Sequence, residues 1–308
     1  MSAAAGTDRR ASSRWLVFTA TLFWGTSATL ARFIFRDHHV PPLSVVEIRL
    51  LVSTMTMLLV LRIRAPHLLR IDRRDLGYFA ALGIFGVAAV QGGYYYAIAH
   101  LGVGLAILLQ YLAPSLIVAV DLLRGRRVSA TTILAVLGAL AGTVCLVSGV
   151  DAHALHARPL DWAVGFLCAA SFAFYIVYSK RGLARYAPET VLVYSFAVAA
   201  LFWSIVTPPR RIIEAGYSPS LWGAFVALGL FSTLVPFRLF YAGLQHMSSA
   251  EAGVIATAEP LVAILAAALF LGEGLGAVQW LGAGLVLAAA LLASRGGLEA
   301  AQAATERG

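Results

Sequence analysis

Apolar residues in this chain come in long, almost unbroken runs separated by short polar stretches. The runs fall at residues 15–35, 42–62, 76–98, 101–123, 130–150, 160–180, 188–206, 220–244, 249–271 and 275–294. Each is close to the roughly 20 residues that a helix needs to cross the hydrocarbon layer of a bilayer. The runs are continuously apolar. Strands of a membrane barrel would be shorter and would alternate apolar with polar. The expected fold is therefore an all-α polytopic membrane protein with ten transmembrane helices.

The pattern also repeats. Tyr96-Ala97, His100, Pro114 and Gly125-Arg126 are echoed by Tyr241-Ala242, His246, Pro260 and Gly272-Glu273, at an offset of 145 to 147 residues. This divides the chain into residues 1–150 (the first five spans) and 151–308 (the second five). Five is odd, so the second half is expected to insert upside down relative to the first. Inverted repeats are a carrier architecture, with substrate held near the midplane where interrupted helices meet.

Composition narrows the class. Sixty per cent of the residues are hydrophobic and 12% charged, with a mean hydropathy of +0.83. A soluble domain cannot be surfaced with so few charges, and intrinsic disorder needs the opposite composition. The net charge of +8 does not point to nucleic acid here. With the N-terminus inside, sixteen of the 23 Lys and Arg fall in inside segments; only Arg36, Arg158, Arg210 and Arg211 fall in outside loops. The positive-inside rule then puts both termini in the cytoplasm of a multi-pass protein of the inner (plasma) membrane. The first run follows a 14-residue polar stretch and lacks a small-residue cleavage signal, so it is expected to be a span and not a removed leader. Cys145 and Cys168 lie inside apolar runs without accompanying ligands, and His153 and His156 lie in a solvated loop. Neither a disulfide nor a metal site is expected.

Polar side chains at membrane depth are expensive and need individual explanations. Glu259 lies about 15 Å into its run by helix rise, near the midplane. Pro260 follows it, and proline disturbs a helix by removing a donor. Gln110, Tyr111 and Pro114 occupy the matching depth in the first half. Pro114 and Pro260 are thus candidate hinges. Glu259 suits a substrate amine or a proton, while a purely structural role at the kink, or an ion pair with Arg49 or Arg238, remains open. Arg238 shares a helix face with Tyr241 and Gln245 and could hold a carboxylate, although snorkelling to the interface competes equally. Arg49 is expected to anchor helices. Trp24, Tyr95, Tyr111, Tyr175 and Tyr241 are deep enough to line a cavity. The candidate substrate site is therefore Trp24, Tyr95, Gln110, Tyr111, Tyr175, Arg238, Tyr241 and Glu259, facing a cavity bounded by both halves.

Leu22-Phe23-Trp24-Gly25, Arg49 with its apolar run, and the stretch Glu259-Pro260-Leu261 through Leu269-Phe270-Leu271-Gly272-Glu273 to Gln279-Trp280-Leu281-Gly282 together resemble the EamA-type branch of the drug/metabolite transporter superfamily. The resemblance covers nearly the whole chain. It departs from the family at Gly125-Arg126-Arg127, where an acidic residue often follows the glycine. What the resemblance implies is a ten-helix basket with a central cavity that exports small metabolites, with the neutral and aromatic amino-acid exporters as nearest in kind. Function classes then separate as follows. An intramembrane enzyme would need paired carboxylates, a metal cluster or an activated nucleophile; none is found, and no nucleotide-binding motif is present to power transport. The expectation is a secondary exporter of neutral or aromatic amino acids working by alternating access. It would have no cofactor and no obligate protein partner, only a small-molecule substrate and the lipid bilayer. Efflux of lipophilic drugs or other metabolites, or a passive channel, are the alternatives.

Overall fold

The computed structural model describes residues 11–27, 40–147, 158–271 and 276–305, and among these every regular element is helical. In chain order they are α1 (residues 11–27), α2 (Pro42–Arg64), α3 (Arg73–Leu101), α4 (Gly104–Leu123), α5 (Ala130–Leu146), α6 (Pro159–Leu183), α7 (Pro188–Val206), α8 (Pro219–Leu244), α9 (Ser249–Ala256 continued by Glu259–Leu271) and α10 (Ala277–Thr305). Proline opens α2, α6, α7 and α8. It tolerates only the first turn, where its missing N–H would be unpaired anyway. Ser129 and Ser248 cap α5 and α9 by accepting from Thr132 and Glu251 N–H groups.

Six of these helices, α2, α3, α4, α6, α7 and α8, are long and apolar enough to cross a membrane. The chain is thus a multi-pass membrane protein, but the expected ten spans are not all met by length. The apolar runs at 15–35 and 130–150 pass into residues outside the described set, and only residues 11–27 of α1 and Ala130–Leu146 of α5 are described. α9 is divided at Thr257-Ala258. Large apolar side chains such as Phe85, Leu201, Ile205 and Leu269 stand exposed on the outside of the bundle, where a bilayer and not water must solvate them.

Two departures from regular helix recur at one spacing. α3 widens into a π-helical stretch at Leu82–Ala88, and α8 does the same at Leu228–Leu234, 146 residues later. α4 breaks at Tyr111-Leu112 and α9 at Thr257-Ala258, again 146 apart. The break falls just before each proline, so Pro114 and Pro260 sit in the first turn of the resuming helix and not in a helix interior.

Packing follows the same spacing. A Cβ on Gly83 would lie 2.5 Å from the Val198 Cβ, and one on Gly229 would lie 2.7 Å from the Val52 Cβ. Both partners of the second contact are 146 residues from those of the first, with the halves exchanged. α7 therefore lies on the π-helical stretch of α3, and α2 on that of α8, as two copies related by a twofold exchange would. This sets the internal register at 146. Tyr241 accordingly matches Tyr95, and the pairing of Tyr241 with Tyr96 expected from sequence is off by one residue.

Candidate functional site

A buried arginine stands at the contact of α2 with α8. Arg49 is 5% exposed. Its Nε donates to Thr233 Oγ1 at 2.8 Å, and Nη2 donates to the Ser232 carbonyl at 3.2 Å. Both partners lie in the π-helical stretch, where the wider turn shifts the carbonyl ladder and leaves oxygens for other donors. Thr233 directs its own hydroxyl hydrogen to the Leu228 carbonyl, so its lone pairs are left for the guanidinium. The Arg49 guanidinium carbon also lies 5.1 Å from the Tyr95 ring centroid, within cation–π range. Ser53, one turn on, bonds the Arg49 and Gly229 carbonyls at 2.6 and 2.7 Å and ties the two helices together.

A buried acid stands at the two helix breaks. Glu259, 8% exposed, resumes α9 and accepts at Oε2 from the Tyr111 hydroxyl at 2.6 Å. Tyr111 is the residue at which α4 breaks. The breaks thus meet through their side chains, phenol to carboxylate. Arg49 and Glu259 lie within each other's electrostatic reach, yet form no direct ion pair.

The remaining expected site residues separate into two groups. Gln110 is buried beside Cys168, whose thiol approaches the Gln110 Oε1 at 3.8 Å. Trp24, half-buried, packs edge-on against Phe237 at 5.0 Å. Tyr175 and Tyr241 stack at 5.4 Å, and the Ser179 and Tyr241 hydroxyls are 3.2 Å apart. Both rings are fully packed among other rings and do not line open space. Arg238 is not brought to this group. Its side chain is 54% exposed and pairs with Glu189 of α7 at 2.8 Å, the interfacial alternative weighed for it. The base whose field reaches the buried acid is Arg49, and Ser232, Thr233 and the half-buried Tyr94 lie beside these two charges unforeseen. A consecutive Ser-Thr in an apolar run, three and four residues after a glycine that admits a neighbouring helix, was the signal available for Ser232 and Thr233.

One end of the bundle is tied across the two halves. Arg14 pairs with the buried Glu251 at 2.7 Å. Within the second half, the Lys180 ammonium donates to the Met247 carbonyl at the same end. Asp75 accepts from Arg185 at 2.7 Å and from the Tyr186 hydroxyl. That bond to Asp75 raises Tyr186 above the usual tyrosine range, so the contact is intact at physiological pH. Tyr78 stacks on Tyr178 at 5.0 Å and accepts from the Gly182 N–H. At the other end Tyr96 donates to Asp161 at 2.9 Å. A cavity of about 300 Å³ lies between Phe85, Gly92, Leu167 and Trp203; it is apolar, and neither Arg49 nor Glu259 lines it. Among the described residues no His, Cys, Asp and Glu cluster could hold a metal ion.

The model of the EamA-like transporter family matches this chain twice, over residues 12–148 and 162–295. The chain belongs to the EamA-like transporter family. An uncharacterized inner membrane transporter of Salmonella typhimurium, YicL, is 27% identical over 94% of this chain and 97% of its own length. An uncharacterized transporter of Archaeoglobus fulgidus is 29% identical over 91% and 95%. The threonine/homoserine exporter RhtA of Escherichia coli is 27% identical over 64% of each chain. A solved crystal structure aligns with a TM-score of 0.74 at 24% identity, covering 92% of this chain and 97% of that one, which shows a shared fold. The double family match falls on the two halves whose π-helical stretches and breaks correspond, so the EamA-like unit occurs twice in this chain.

Proposed function

We propose that this EamA-like transporter is a secondary carrier that exports neutral amino acids with apolar or aromatic side chains. It would work by alternating access between two inverted five-helix repeats, residues 1–150 and 151–308, in the inner membrane with both termini cytoplasmic. The observation that carries the reading is the Tyr111–Glu259 hydrogen bond. It joins the broken helices of both halves and places a carboxylate, which can bind an amine, in the buried interior. Pro114 and Pro260, opening the resumed half-helices, are the points about which those helices would swing. The aromatic surround of Trp24, Tyr95 and Tyr111 favours apolar substrate side chains. The similarity to a threonine/homoserine exporter supports the amino-acid class. The cross-ties of Arg14, Asp75 and Tyr78 would then close the cytoplasmic side.

A second reading, efflux of lipophilic compounds, is favoured by the apolar cavity that opens between Phe85 and Leu167. Counterflow separates the two. Purified protein in liposomes preloaded with unlabelled neutral amino acids should accumulate the labelled forms, and Tyr111→Phe should slow this about tenfold, the equivalent of about 1.4 kcal/mol. Absence of counterflow for every neutral amino acid, with accumulation of a lipophilic cation instead, would move the function to the second reading.

A further inference from the structure

Arg49 and Glu259 raise a question that the Tyr111–Glu259 contact does not answer. Opposite charges taken out of water are strongly attracted, and a direct pair with good geometry recovers part of their desolvation cost. Here Arg49 and Glu259 are near enough to attract one another, but each is tethered elsewhere. Arg49 is held toward α8 by Thr233 and Ser232 and covered by Tyr95. Glu259 is held toward α4 by Tyr111. The tethers also leave valences over. Guanidinium has five N–H donors in a planar fork, and the two bonds from Nε and Nη2 leave Nη1 without a protein acceptor. Glu259 accepts through Oε2 only, and Oε1 accepts nothing. Neither atom is sealed away from solvent without a partner, as the Glu47 Oε2 is, so two charged atoms of opposite sign that lack a protein partner and keep some exposure mark a place where something else binds. Tyr94, next to Tyr95 on α3 and only half-buried, lies in the field of both charges.

We infer that Arg49 and Glu259 are the two poles of a slot for a zwitterion, the Arg49 fork taking a carboxylate and the free Glu259 oxygen taking the adjacent ammonium. The inference rests on the amino-acid reading above and makes it more specific. The base at the site is Arg49, and the side chain of the bound amino acid is turned toward Tyr94 and Tyr95. A lone anion would satisfy Arg49 but face Glu259, and a lone cation would do the reverse. Only a molecule carrying both charges satisfies both poles. The geometry therefore selects α-amino acids over the amines and acids that share their side chain. Lysine at position 49 could not reproduce the fork that holds Thr233 and Ser232 while offering Nη1 to a ligand.

The test uses L-phenylalanine, its decarboxylated form phenethylamine and its deaminated form 3-phenylpropionate as competitors of labelled phenylalanine counterflow in proteoliposomes. Wild-type protein should prefer phenylalanine to either analogue by about tenfold to a hundredfold, the range of one charge-assisted hydrogen bond. Arg49→Gln should lose discrimination against phenethylamine and keep it against 3-phenylpropionate, and Glu259→Gln should do the converse. If Arg49→Gln elutes as aggregate, Arg49→Lys is read in its place, with the same loss expected in part. If no neutral amino acid shows counterflow in the wild type, the amino-acid reading itself has failed. If phenylalanine is transported but either analogue competes equally well, or if folded variants keep the wild-type preference, the amino-acid reading stands and the two-pole slot is overturned.

Discussion

The two halves of this chain share a backbone and differ in what they hang on it. At a spacing of 146 residues the π-helical stretches coincide, the broken helices coincide, Pro114 matches Pro260, and Gly83 against Val198 matches Gly229 against Val52. At the same spacing the polar residues do not coincide. Arg49 corresponds to Ser195, Ser232 to Gly86, Thr233 to Val87, Glu259 to Ala113 and Tyr111 to Thr257. The counterparts carry no charge. Ser195 bonds the Val191 carbonyl at 2.7 Å and Thr257 bonds the Val254 carbonyl at 2.6 Å, both within their own helices. The difference teaches that the π turns and breaks are a device of the scaffold, present twice. Arg49 and Glu259 each stand at only one copy of a device, so the proposed site draws on both halves.

The comparison is broken most directly through its glycines. Gly83→Leu and Gly229→Leu each force a side chain into a neighbouring helix backed by valine. Overpacking of this kind costs about 3 kcal/mol. If the contacts are equivalent, the two variants should lower the thermal midpoint in detergent by similar amounts, read by fluorescence-detected size exclusion. A large loss from one with none from the other would show that the halves are not structurally matched. The next effect is smaller and asymmetric. Thr233→Val leaves the Arg49 Nε buried without an acceptor and should cost about 2 kcal/mol. The counterpart Val87→Thr adds a hydroxyl that can bond its own helix and should cost less than about 1 kcal/mol. Equal costs for the two would mean that Thr233 does not hold Arg49.

Much of this architecture was legible in the residues before any coordinates. Apolar runs of span length leave helix as the only satisfied backbone, so α2, α3, α6, α7 and α8 are found close to their expected limits. The breaks were legible because Pro114 and Pro260 recur at matched depth, and Glu259 was legible because an acid at that depth is expensive and needs an account, with a structural role at the kink left open beside a binding one. The π-helical stretches were not, since an extra residue in one turn leaves no mark on a run that is apolar on every face. The register was blurred by Tyr94-Tyr95-Tyr96, three identical residues against the single Tyr241. The choice between Arg49 and Arg238 was also out of reach. Helix rise places each about 10 Å from a span end, but depth does not say which face a side chain takes or that Glu189 waits for Arg238 on the next helix.

Arg238 gives the smallest expected effect and the sharpest limit on the comparison. It too is a position where the halves differ, since its counterpart is Gly92, whose missing side chain makes room for the Trp203 ring; a Cβ there would lie 2.0 Å from it. Asymmetry alone therefore does not mark function; the differing residues must also converge. Arg238 converges on nothing but Glu189, and its side chain is more than half exposed. Exposed pairs of this kind contribute about 0–1 kcal/mol. Arg238→Gln should thus leave the thermal midpoint within a degree or two of wild type, and should leave both the rate of amino-acid counterflow and the preference for phenylalanine over phenethylamine unchanged. Loss of that preference in a well-folded Arg238→Gln protein would put the carboxylate pole on α8 and return Arg49 to a purely structural clasp between α2 and the π-helical stretch.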